Sequence, residues 1–309
     1  MNKKFKHKPL VSIVMNCYNG ENYLRESINS VLLQTYTNWE LIFWDNKSED
    51  KSAKIFKSYQ DKRLHYFSAS KHTPLYEARN LAIEKTKGDF IAFIDTDDMW
   101  SQEKLDKQMD CFEGEAVGVV YTNFWLMKND INKKKINNKK KLPSGKIYDQ
   151  LINNYNIGAI LTAVIKKTYY LKLEKNFDKR FSIIGDFDFF LRLSKICIFN
   201  AIQEPLAFYR LHGKNLSILN KEQEIEEFHL WLEENKFNLS KFEVKKLQKK
   251  INYRKFVICK INGKYGECAN MLLSLKKSLL NIKNLVLFFT PVFLLKKLLW
   301  YHQDYNDFK

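Results

Sequence analysis

The sequence is short of the residues that mark several protein classes. Its 309 residues include only ten glycines and five prolines, too few for a collagen-like or a Gly/Pro-rich disordered chain. The five cysteines stand apart, none in a C-x-x-C pair, and no histidine is spaced to complete a zinc site. An odd number of isolated thiols argues against a disulfide framework and favours a reducing, cytoplasmic location.

Long apolar runs are also missing. Residues 1–9 are basic and polar, without the apolar core of a secretory signal. The apolar stretch at 285–295 is broken by Thr290 and Pro291, and it is about half the roughly 20 residues of a membrane-spanning helix. We therefore expect neither a secretory signal nor a membrane span.

Positive charge is abundant but uneven. The net charge is +17, and two stretches carry the excess: residues 128–146 have 8 basic against 1 acidic side chain, and residues 236–309 have 16 against 4. A nucleic-acid-binding protein would usually carry its basic face on the folded reading module. A basic tail on a neutral body fits an anionic membrane surface at least as well, so we expect no nucleic-acid partner.

Apolar runs and helical patterns alternate over the first hundred residues. Short runs rich in β-branched residues predict strands at 10–15, 40–44, 64–67 and 89–94, separated by helices. This alternation predicts an α/β fold with a mainly parallel sheet, in which ligands bind at the carboxyl ends of the strands. Later patterns predict strands at 117–127 and 159–165, a helix at 185–195 and an extended segment at 206–211. From 221 onward they predict helices, among them 265–280 and an apolar one at 285–301.

Carboxylates follow two of these strands. Asp45 ends the second strand, and Asp95, Asp97 and Asp98 follow the fourth. Three carboxylates so close raise one another's pKa unless a cation is present, and hard oxygen ligands suit Mg²⁺ or Mn²⁺. A solvated loop that caps a helix is the alternative that the spacing leaves open.

Three further residues are candidates for the same site. Arg79, within a helix, is either a surface charge or the partner of the acidic strand end or of a phosphate. Asp188 has the spacing of an i,i+4 ion pair with Arg192, which leaves Asp186 as a possible general base. His212 directly follows an extended segment, and a lone histidine is more often structural than functional.

Five motifs occur in order between residues 9 and 215. They are VSIVMNCYN at 11–19, QTYTNWELIFWDNKS at 34–48, ARN at 78–80 with GDFIAFIDTDDMW at 88–100, GDFDFFLR at 185–192, and YRLH at 209–212 with Ser217. Together they resemble the family 2 glycosyltransferases of GT-A fold. The resemblance implies a Rossmann-like, mainly parallel sheet flanked by helices, followed by a C-terminal helical, basic appendage outside the match.

The resemblance also implies an activity and a site. It implies an inverting, metal-dependent transferase that moves a sugar from a nucleotide sugar, UDP-sugar first, to a glycan or lipid-linked acceptor of cell-surface polysaccharide or lipopolysaccharide synthesis. It assigns the nucleotide sugar to Asp45, Arg79 and Asp95, the Mg²⁺ or Mn²⁺ ion to Asp97 and His212, and the general base to Asp186.

Two positions depart from the family pattern. Asn46-Lys47 stands where Asp-Gly is common, so the nucleotide loop is expected to differ. Gly185 stands where a Glu-Asp pair would have its glutamate, which leaves Asp186 as the only base candidate there.

The sequence predicts two domains. Residues 1–218 form the GT-A domain, with a basic loop at 128–146, and residues 219–309 form a helical region. The lysines and the aromatic and leucine cluster within 236–309 favour a segment lying in a membrane interface, peripheral on the inner face of the cell membrane. A cap packed on the catalytic domain, or a dimer interface, is the alternative.

Other functions would require residues that this sequence lacks or places elsewhere. A dehydrogenase would need G-x-G-x-x-G after the first strand, where residues 16–20 read NCYNG. An aspartyl phosphatase would place its carboxylate pair on the first strand and not the fourth. A non-catalytic nucleotide-sugar or nucleic-acid binder with a basic tail stays the alternative, and it would not need Asp186.

Overall fold

The computed structural model of the chain describes residues 8–128, 131–155, 157, 160–274, 286 and 288–294. The chain divides into two compact units. The first contains Met1–Leu151 and Tyr155–His212, and the second contains Ile152–Asn154 and Gly213–Lys309. The domain boundary predicted after residue 218 falls a few residues later in the chain than this division.

Strands and helices alternate through the first unit. The strands are β1 (Val11–Cys17), β2 (Trp39–Asp45), β3 (Leu64–Ser68), β4 (Phe90–Phe93), β5 (Met99–Trp100), β6 (Val117–Met127), β7 (Lys134–Ile136), β8 (Ala163–Lys166) and β9 (Ile198–Arg210). The helices are α1 (Leu24–Leu32), α2 (Ser52–Lys57), α3 (Leu75–Ile83), α4 (Lys104–Asp110), α5 (Tyr148–Asn153), α6 (Lys167–Tyr170) and α7 (Gly185–Ser194), with a 3-10 turn at Ile160–Thr162.

The described strands form one mixed sheet in the order β3-β2-β1-β4-β8-β6-β9-β5, with β7 beside β6. The four strands from β3 to β4 run parallel, as the βαβ pattern predicts. Beyond them, β8 is antiparallel to both β4 and β6, while β6 is parallel to β9. The predicted α/β class is therefore confirmed, and the fully parallel part is the half that contains the first four strands.

The central strands are buried on both faces, which explains their continuous apolar runs. Every residue of β2 is buried, and so are all but one of the residues of β1. Leu24, Ile28 and Val31 of α1 are buried along the inward side of that helix. Each such side chain contributes about 1.5–3 kcal/mol by leaving water. The carboxyl ends of these strands are therefore held in place by a packed core.

Two strands differ from the prediction. Strand β9 begins at Ile198, well before the extended segment expected at 206–211, and pairs with β6 along most of its length. Strand β7 lies inside the segment 128–146, which the sequence predicted as a loop, and pairs antiparallel with β6. The Lys134 ammonium lies 5.1 Å from the ring centroids of both Trp125 and Phe208. Aromatic contacts of this kind allow a lysine-rich segment to join a sheet.

The second unit is helical in its described residues, as predicted from residue 221 onward. Its elements are α8 (Leu216–Leu219), α9 (Lys221–Asn235), a 3-10 turn at Lys236–Asn238, α10 (Lys241–Ile261) and α11 (Tyr265–Ser274). A reciprocal cap starts α10: the Glu243 amide donates to Ser240 Oγ and the Ser240 amide to Glu243 Oε2. Phe256, Cys259 and Cys268 form a small core.

Two expectations for the tail reach beyond the described part of the chain. The helix predicted over 265–280 is seen to Ser274, and most of the helix predicted over 285–301 lies outside the described residues. Among the residues that are described, no helix has both the length and the hydropathy needed to cross a membrane.

Candidate active site

The carboxyl ends of β1, β2 and β4 meet at one edge of the sheet. Cys17, the last residue of β1, pairs with Asp45, the last residue of β2. The Ile94 amide, one residue beyond β4, donates to the Val14 carbonyl of β1, so the chain enters the Asp95–Asp98 segment beside them. The strand-end carboxylates predicted from the sequence therefore lie at the same edge.

Asp45 is buried and held by two donors. The Tyr66 hydroxyl donates to Oδ2 at 2.6 Å, and the Ser48 amide donates to Oδ1 at 2.8 Å. Burial and the hydrogen bond to Asp45 raise the pKa of Tyr66 to about 12, so the phenol stays protonated and remains a donor. The carboxylate of Asp45 is thus fixed in one orientation.

The loop after Asp45 keeps an unusual backbone despite its altered sequence. Lys47 has φ of 71°, a left-handed conformation that favours glycine. Asn46 holds the turn: its amide group donates to the Thr73 carbonyl at 2.7 Å and accepts from the Thr73 hydroxyl. The lysine therefore occupies a strained position where the family pattern has glycine, and the side-chain bonds of Asn46 offset the cost.

An aromatic pair lies next to this loop and was not singled out in the sequence. The Tyr18 ring packs 4.2 Å from the His72 ring, and His72 Nδ1 lies 3.2 Å from the Asn46 carbonyl oxygen. Half of Tyr18 is exposed to solvent. In the sequence, the only sign of a role for Tyr18 is its position directly after β1, within the first motif.

Arg79 and Asp95 form an ion pair. The Arg79 Nη2 lies 2.8 Å from Asp95 Oδ1, and the guanidinium is buried whereas the carboxylate is partly exposed. Burial alone would lower the pKa of Arg79, but the Asp95 charge raises it above its usual value. Of the two alternatives for Arg79, the structure gives the partner of the acidic strand end.

Asp97 and His212 lie in direct contact. His212 Nε2 is 2.7 Å from Asp97 Oδ2, and both side chains are partly exposed. The His212 ring stacks on Tyr23 with centroids 5.3 Å apart. Two residues separated by more than a hundred positions are thus brought together at one end of the sheet, because β9 delivers His212 beside the β4 end.

Arg210 bonds to Asp97 and Asp98 and also to helix α1. Its backbone amide donates to Asp98 Oδ1, its Nε to the Asp97 carbonyl, and its Nη2 to Glu26. Asp98 is fully buried; burial raises its pKa well above the usual range, and the charges of Asp97 and Asp95 add to this. Asp98 is therefore an internal support for the loop and not the exposed helix cap that the spacing allowed.

The Asp97–His212 pair suits a divalent ion in its chemistry. A carboxylate oxygen and an imidazole nitrogen side by side are ligands that Mn²⁺ accepts, and a nucleoside diphosphate would supply further oxygens. Within the described residues, no group of three or more acidic, histidine or cysteine side chains could hold an ion alone. The residues present thus fit a metal shared with substrate phosphates and not a closed structural site.

Asp186 lies in different surroundings, at the first turn of α7. Burial raises the pKa of its carboxyl to about 6, although the Arg79 charge and the Phe187 amide pull it down. The Phe187 amide donates to Oδ1 at 2.8 Å, and the Tyr76 hydroxyl lies 3.5 Å from the same oxygen. A carboxyl with a pKa near neutrality can accept and release a proton at physiological pH.

The structure joins four of the six predicted site residues in two pairs and places Asp186 within reach of the Arg79 charge. Arg79 pairs with Asp95 and acts electrostatically on Asp186, Asp97 pairs with His212, and Asp45 is held by Tyr66. The predicted Asp188–Arg192 ion pair forms at 2.7 Å. Sequence reasoning missed Tyr23, Tyr66, Tyr76 and Arg210, whose contacts depend on long-range packing.

Sequence comparisons relate the chain to glycosyltransferases. The family model described as Glycosyl transferase family 2 matches residues 12–172. The WfgD protein of Escherichia coli, a UDP-Glc:alpha-D-GlcNAc-diphosphoundecaprenol beta-1,3-glucosyltransferase, is 36% identical over 159 residues, 52% of this chain and 61% of that protein. The uncharacterized glycosyltransferase MJ1057 of Methanocaldococcus jannaschii is 31% identical over 227 residues, 70% of this chain and 76% of that protein. This chain thus spans less than two thirds of the length of WfgD.

Solved structures share the fold. S. aureus TarS 1-349 in complex with UDP-GlcNAc matches with a TM-score of 0.59 at 16% identity, covering 85% of this chain and 79% of that chain. The mannosyltransferase PcManGT from Pyrobaculum calidifontis, in complex with GDP-Man and Mn²⁺, matches with a TM-score of 0.55 at 13% identity, covering 74% and 65%. These likenesses confirm the GT-A fold expected from the motifs.

Proposed function

Because the chain belongs to glycosyl transferase family 2, we propose that it is an inverting, metal-dependent glycosyltransferase. It transfers a sugar from a nucleotide sugar to a hydroxyl of a glycan or lipid-linked acceptor in cell-surface polysaccharide or lipopolysaccharide synthesis. The observation that carries the proposal is the contrast between Asp95 and Asp97, each paired with a basic side chain, and Asp186, whose pKa is raised to about 6 by desolvation.

In this proposal the donor lies along the strand ends. Asp45, oriented by Tyr66 and Ser48, accepts a hydrogen bond from the nucleobase. Asp95, held by Arg79, contacts the ribose side of the donor. Arg79 also contributes positive charge near the phosphates without leaving its buried position.

Asp97 and His212 would hold Mg²⁺ or Mn²⁺ against the diphosphate. When bound, such an ion neutralises the charge that develops on the departing diphosphate. The chain's own contribution is to keep the two ligands together: Tyr23 stacks on the imidazole, and Arg210 fixes the backbone of Asp97.

Asp186 acts as the general base. It takes the proton of the acceptor hydroxyl while that oxygen bonds to the anomeric carbon, and the bond from this carbon to the diphosphate oxygen breaks. Attack from the face opposite the leaving group inverts the anomeric configuration. Because the carboxyl has a pKa of about 6, most of it is ionised at neutral pH and still basic enough to take the proton.

UDP-glucose is the first donor to test. The E. coli relative is named for UDP-Glc and for a GlcNAc-diphosphoundecaprenol acceptor, and TarS is bound to UDP-GlcNAc. The PcManGT complex contains GDP-Man, so GDP-sugars belong in the same panel. These names support a nucleotide-sugar donor and a lipid-linked acceptor.

We also propose a cytoplasmic protein that touches the inner face of the cell membrane through residues 236–309. Phe237, in the 3-10 turn between α9 and α10, is 88% exposed, and Phe242, in the first turn of α10, is 70% exposed; they stand next to Lys236 and Lys241. Exposed aromatic rings beside lysines suit a headgroup interface, and the basic excess of the tail attracts anionic lipid.

Vesicle flotation tests the membrane contact. The full chain should float with phosphatidylglycerol vesicles and not with neutral phosphatidylcholine vesicles, and Phe237→Ser with Phe242→Ser should weaken flotation at least threefold. Leu171→Ser is the matched control, because Leu171 is 69% exposed in the first unit. Equal flotation of the double variant would argue against this contact surface.

The transferase is tested with a donor panel. UDP-, GDP- and dTDP-sugars are incubated with Mn²⁺ and a GlcNAc-diphospho-lipid acceptor, and the same panel is repeated with Asp97→Ala. Consumption of one donor, dependent on metal and abolished by the substitution, supports the proposal. A non-catalytic nucleotide-sugar binder would bind a donor without turnover under every condition.

A further inference from the structure

Tyr76 is a buried residue that contacts both Asp186 and Arg79. It lies on α3, three residues before Arg79, and its ring stacks on Phe177 with centroids 5.3 Å apart. Burial first, and the Asp186 charge second, raise the pKa of Tyr76 well above its usual value. The phenol therefore stays protonated and can both donate and accept hydrogen bonds.

The hydroxyl of Tyr76 is bonded to the first turn of α7. It accepts a hydrogen bond from the Asp186 amide at 3.1 Å and donates to the Ile183 carbonyl at 3.2 Å. Amides in the first turn of a helix have no partner within the helix. The hydroxyl of Tyr76 supplies that partner at the residue proposed as the base.

The ring of Tyr76 explains why residue 185 is glycine. A Cβ on Gly185 would lie 2.5–2.7 Å from three atoms of the Tyr76 ring, closer than real Cβ contacts allow. The ring therefore fills the space in which any side chain at position 185 would begin. Gly185 and Tyr76 form a matched pair, and the glycine is required by contact and not by backbone conformation.

Tyr76 also touches the donor side. The Arg79 guanidinium lies 5.1 Å from the Tyr76 ring centroid while it pairs with Asp95. One buried side chain thus contacts both the start of α7 and the ion pair at the β4 end.

We propose that Tyr76 is a positioning residue for Asp186. Its hydroxyl fixes the first turn of α7, and its ring sets the separation between the Asp186 carboxyl and the Arg79–Asp95 pair. The proposal rests on Asp186 being the base, as argued above, and it predicts that the geometry of the base depends on a residue that need not touch either substrate.

Three groups face the Asp186 carboxyl. Tyr76 lies 3.5 Å from Oδ1, Arg79 acts on it through its charge, and the Tyr155 hydroxyl lowers its pKa as Arg79 does. Phe187 adds its backbone amide from α7 itself. Removing the Tyr76 hydroxyl takes away its 3.1 Å bond with the Asp186 amide and leaves the other groups, so the carboxyl should move relative to them and its pKa should shift.

The test compares Tyr76→Phe with Tyr36→Phe. Both substitutions delete one buried hydroxyl that bonds to a backbone carbonyl. Tyr36 bonds to Pro9, which precedes β1 and so lies at the end of that strand opposite to the candidate site. Two activity-independent readouts come first: amide hydrogen exchange at Asp186 and its carboxyl pKa by ¹³C NMR titration. We expect at least tenfold faster exchange and a shifted Asp186 pKa for Tyr76→Phe only.

Turnover is measured next, with the donor identified in the panel. Tyr76→Phe should lower kcat roughly tenfold to hundredfold with the donor KM unchanged, since a small misplacement of a catalytic group costs that much. A loss that appeared equally in Tyr36→Phe, or that raised KM alone, would overturn the positioning role. Unchanged exchange at Asp186 would overturn it without any turnover data.

Gly185→Ala probes the same contact from the other side. The added methyl group must displace the Tyr76 ring, so this variant should reproduce the kcat defect of Tyr76→Phe. The double variant should be no worse than the poorer single variant, because both changes disrupt one contact. Additive losses would contradict a shared contact.

Asp186→Asn separates the two proposals. If transfer survives Asp186→Asn, the base assignment falls and the positioning role falls with it. If Asp186→Asn abolishes transfer while Tyr76→Phe behaves like the unsubstituted chain, only the positioning role is overturned.

Discussion

The carboxylates of the candidate site have the same chemistry and different partners. Asp95 and Asp97 follow β4, are partly exposed, and each contacts a basic side chain, Arg79 or His212. Asp186, in the first turn of α7, is also partly exposed, but it contacts the Tyr76 hydroxyl and the Phe187 amide, and loss of surrounding water raises its pKa to about 6. In the proposed function, the partners around each carboxylate, not its residue type, would separate donor holding from proton transfer.

The largest effect is expected from substituting Asp186, the proposed base. Asp186→Asn keeps the shape and removes the proton acceptor, so transfer should fall roughly 10²–10⁴-fold. Initial rates with the donor from the panel measure the loss. Asp89→Asn is the control, since Asp89 is exposed and stands just before the amino end of β4. A loss under threefold in Asp186→Asn would contradict the role of base.

The pH dependence of kcat tests the same difference between Asp186 and the paired carboxylates Asp95 and Asp97. A base must be ionised to accept a proton, so kcat should rise with pH through about 6 and level off above 7. Below pH 6 the rate should drop about tenfold per pH unit. A rate profile from pH 4.5 to 8.5 in one buffer series measures this limb, and a rate that stayed constant down to pH 4.5 would mean that the titrating group is an ordinary exposed carboxylate.

The smallest expected effect concerns stability. The folded pKa of Asp186 lies above the usual 3.8, so the folded state is destabilised as pH rises from about 4 through about 6. Asp186→Asn removes this cost and should raise the free energy of unfolding by about 1–3 kcal/mol at pH 7.5, with no gain at pH 4.

The control for stability lies on the same helix. Asp188 is paired with Arg192 at 2.7 Å, so Asp188→Asn should lower the free energy of unfolding by about 1 kcal/mol. Denaturant titrations of both variants at the two pH values give the comparison. Destabilisation of both variants at pH 7.5 would remove the argument that Asp186 is strained by burial.

Much of this site could be predicted from local sequence. Asp45 and Asp95 follow continuous apolar runs, and such runs form buried parallel strands that place the next residue at the ligand edge. His212 could be placed because it stands two residues beyond the end of β9. These residues share a local signal: each stands at the end of an element.

The remaining contacts arise from packing between distant segments. Tyr76 and Gly185 are separated by more than a hundred residues, and neither the helical pattern of α3 nor the glycine alone indicates that they touch. Strand β7 was missed because lysines dominate its composition, and aromatic neighbours on β6 and β9 stabilise it. Single-segment patterns carry no information about such pairs.

The most direct test of the account is calorimetric titration of UDP with and without Mn²⁺. Against the unsubstituted chain, Asp186→Asn should bind UDP with the same Mn²⁺-dependent affinity, and Asp97→Ala should lose the part that depends on Mn²⁺. That result would assign donor holding and proton transfer to different carboxylates. Full Mn²⁺-dependent binding by Asp97→Ala, or loss of UDP binding by Asp186→Asn, would contradict it.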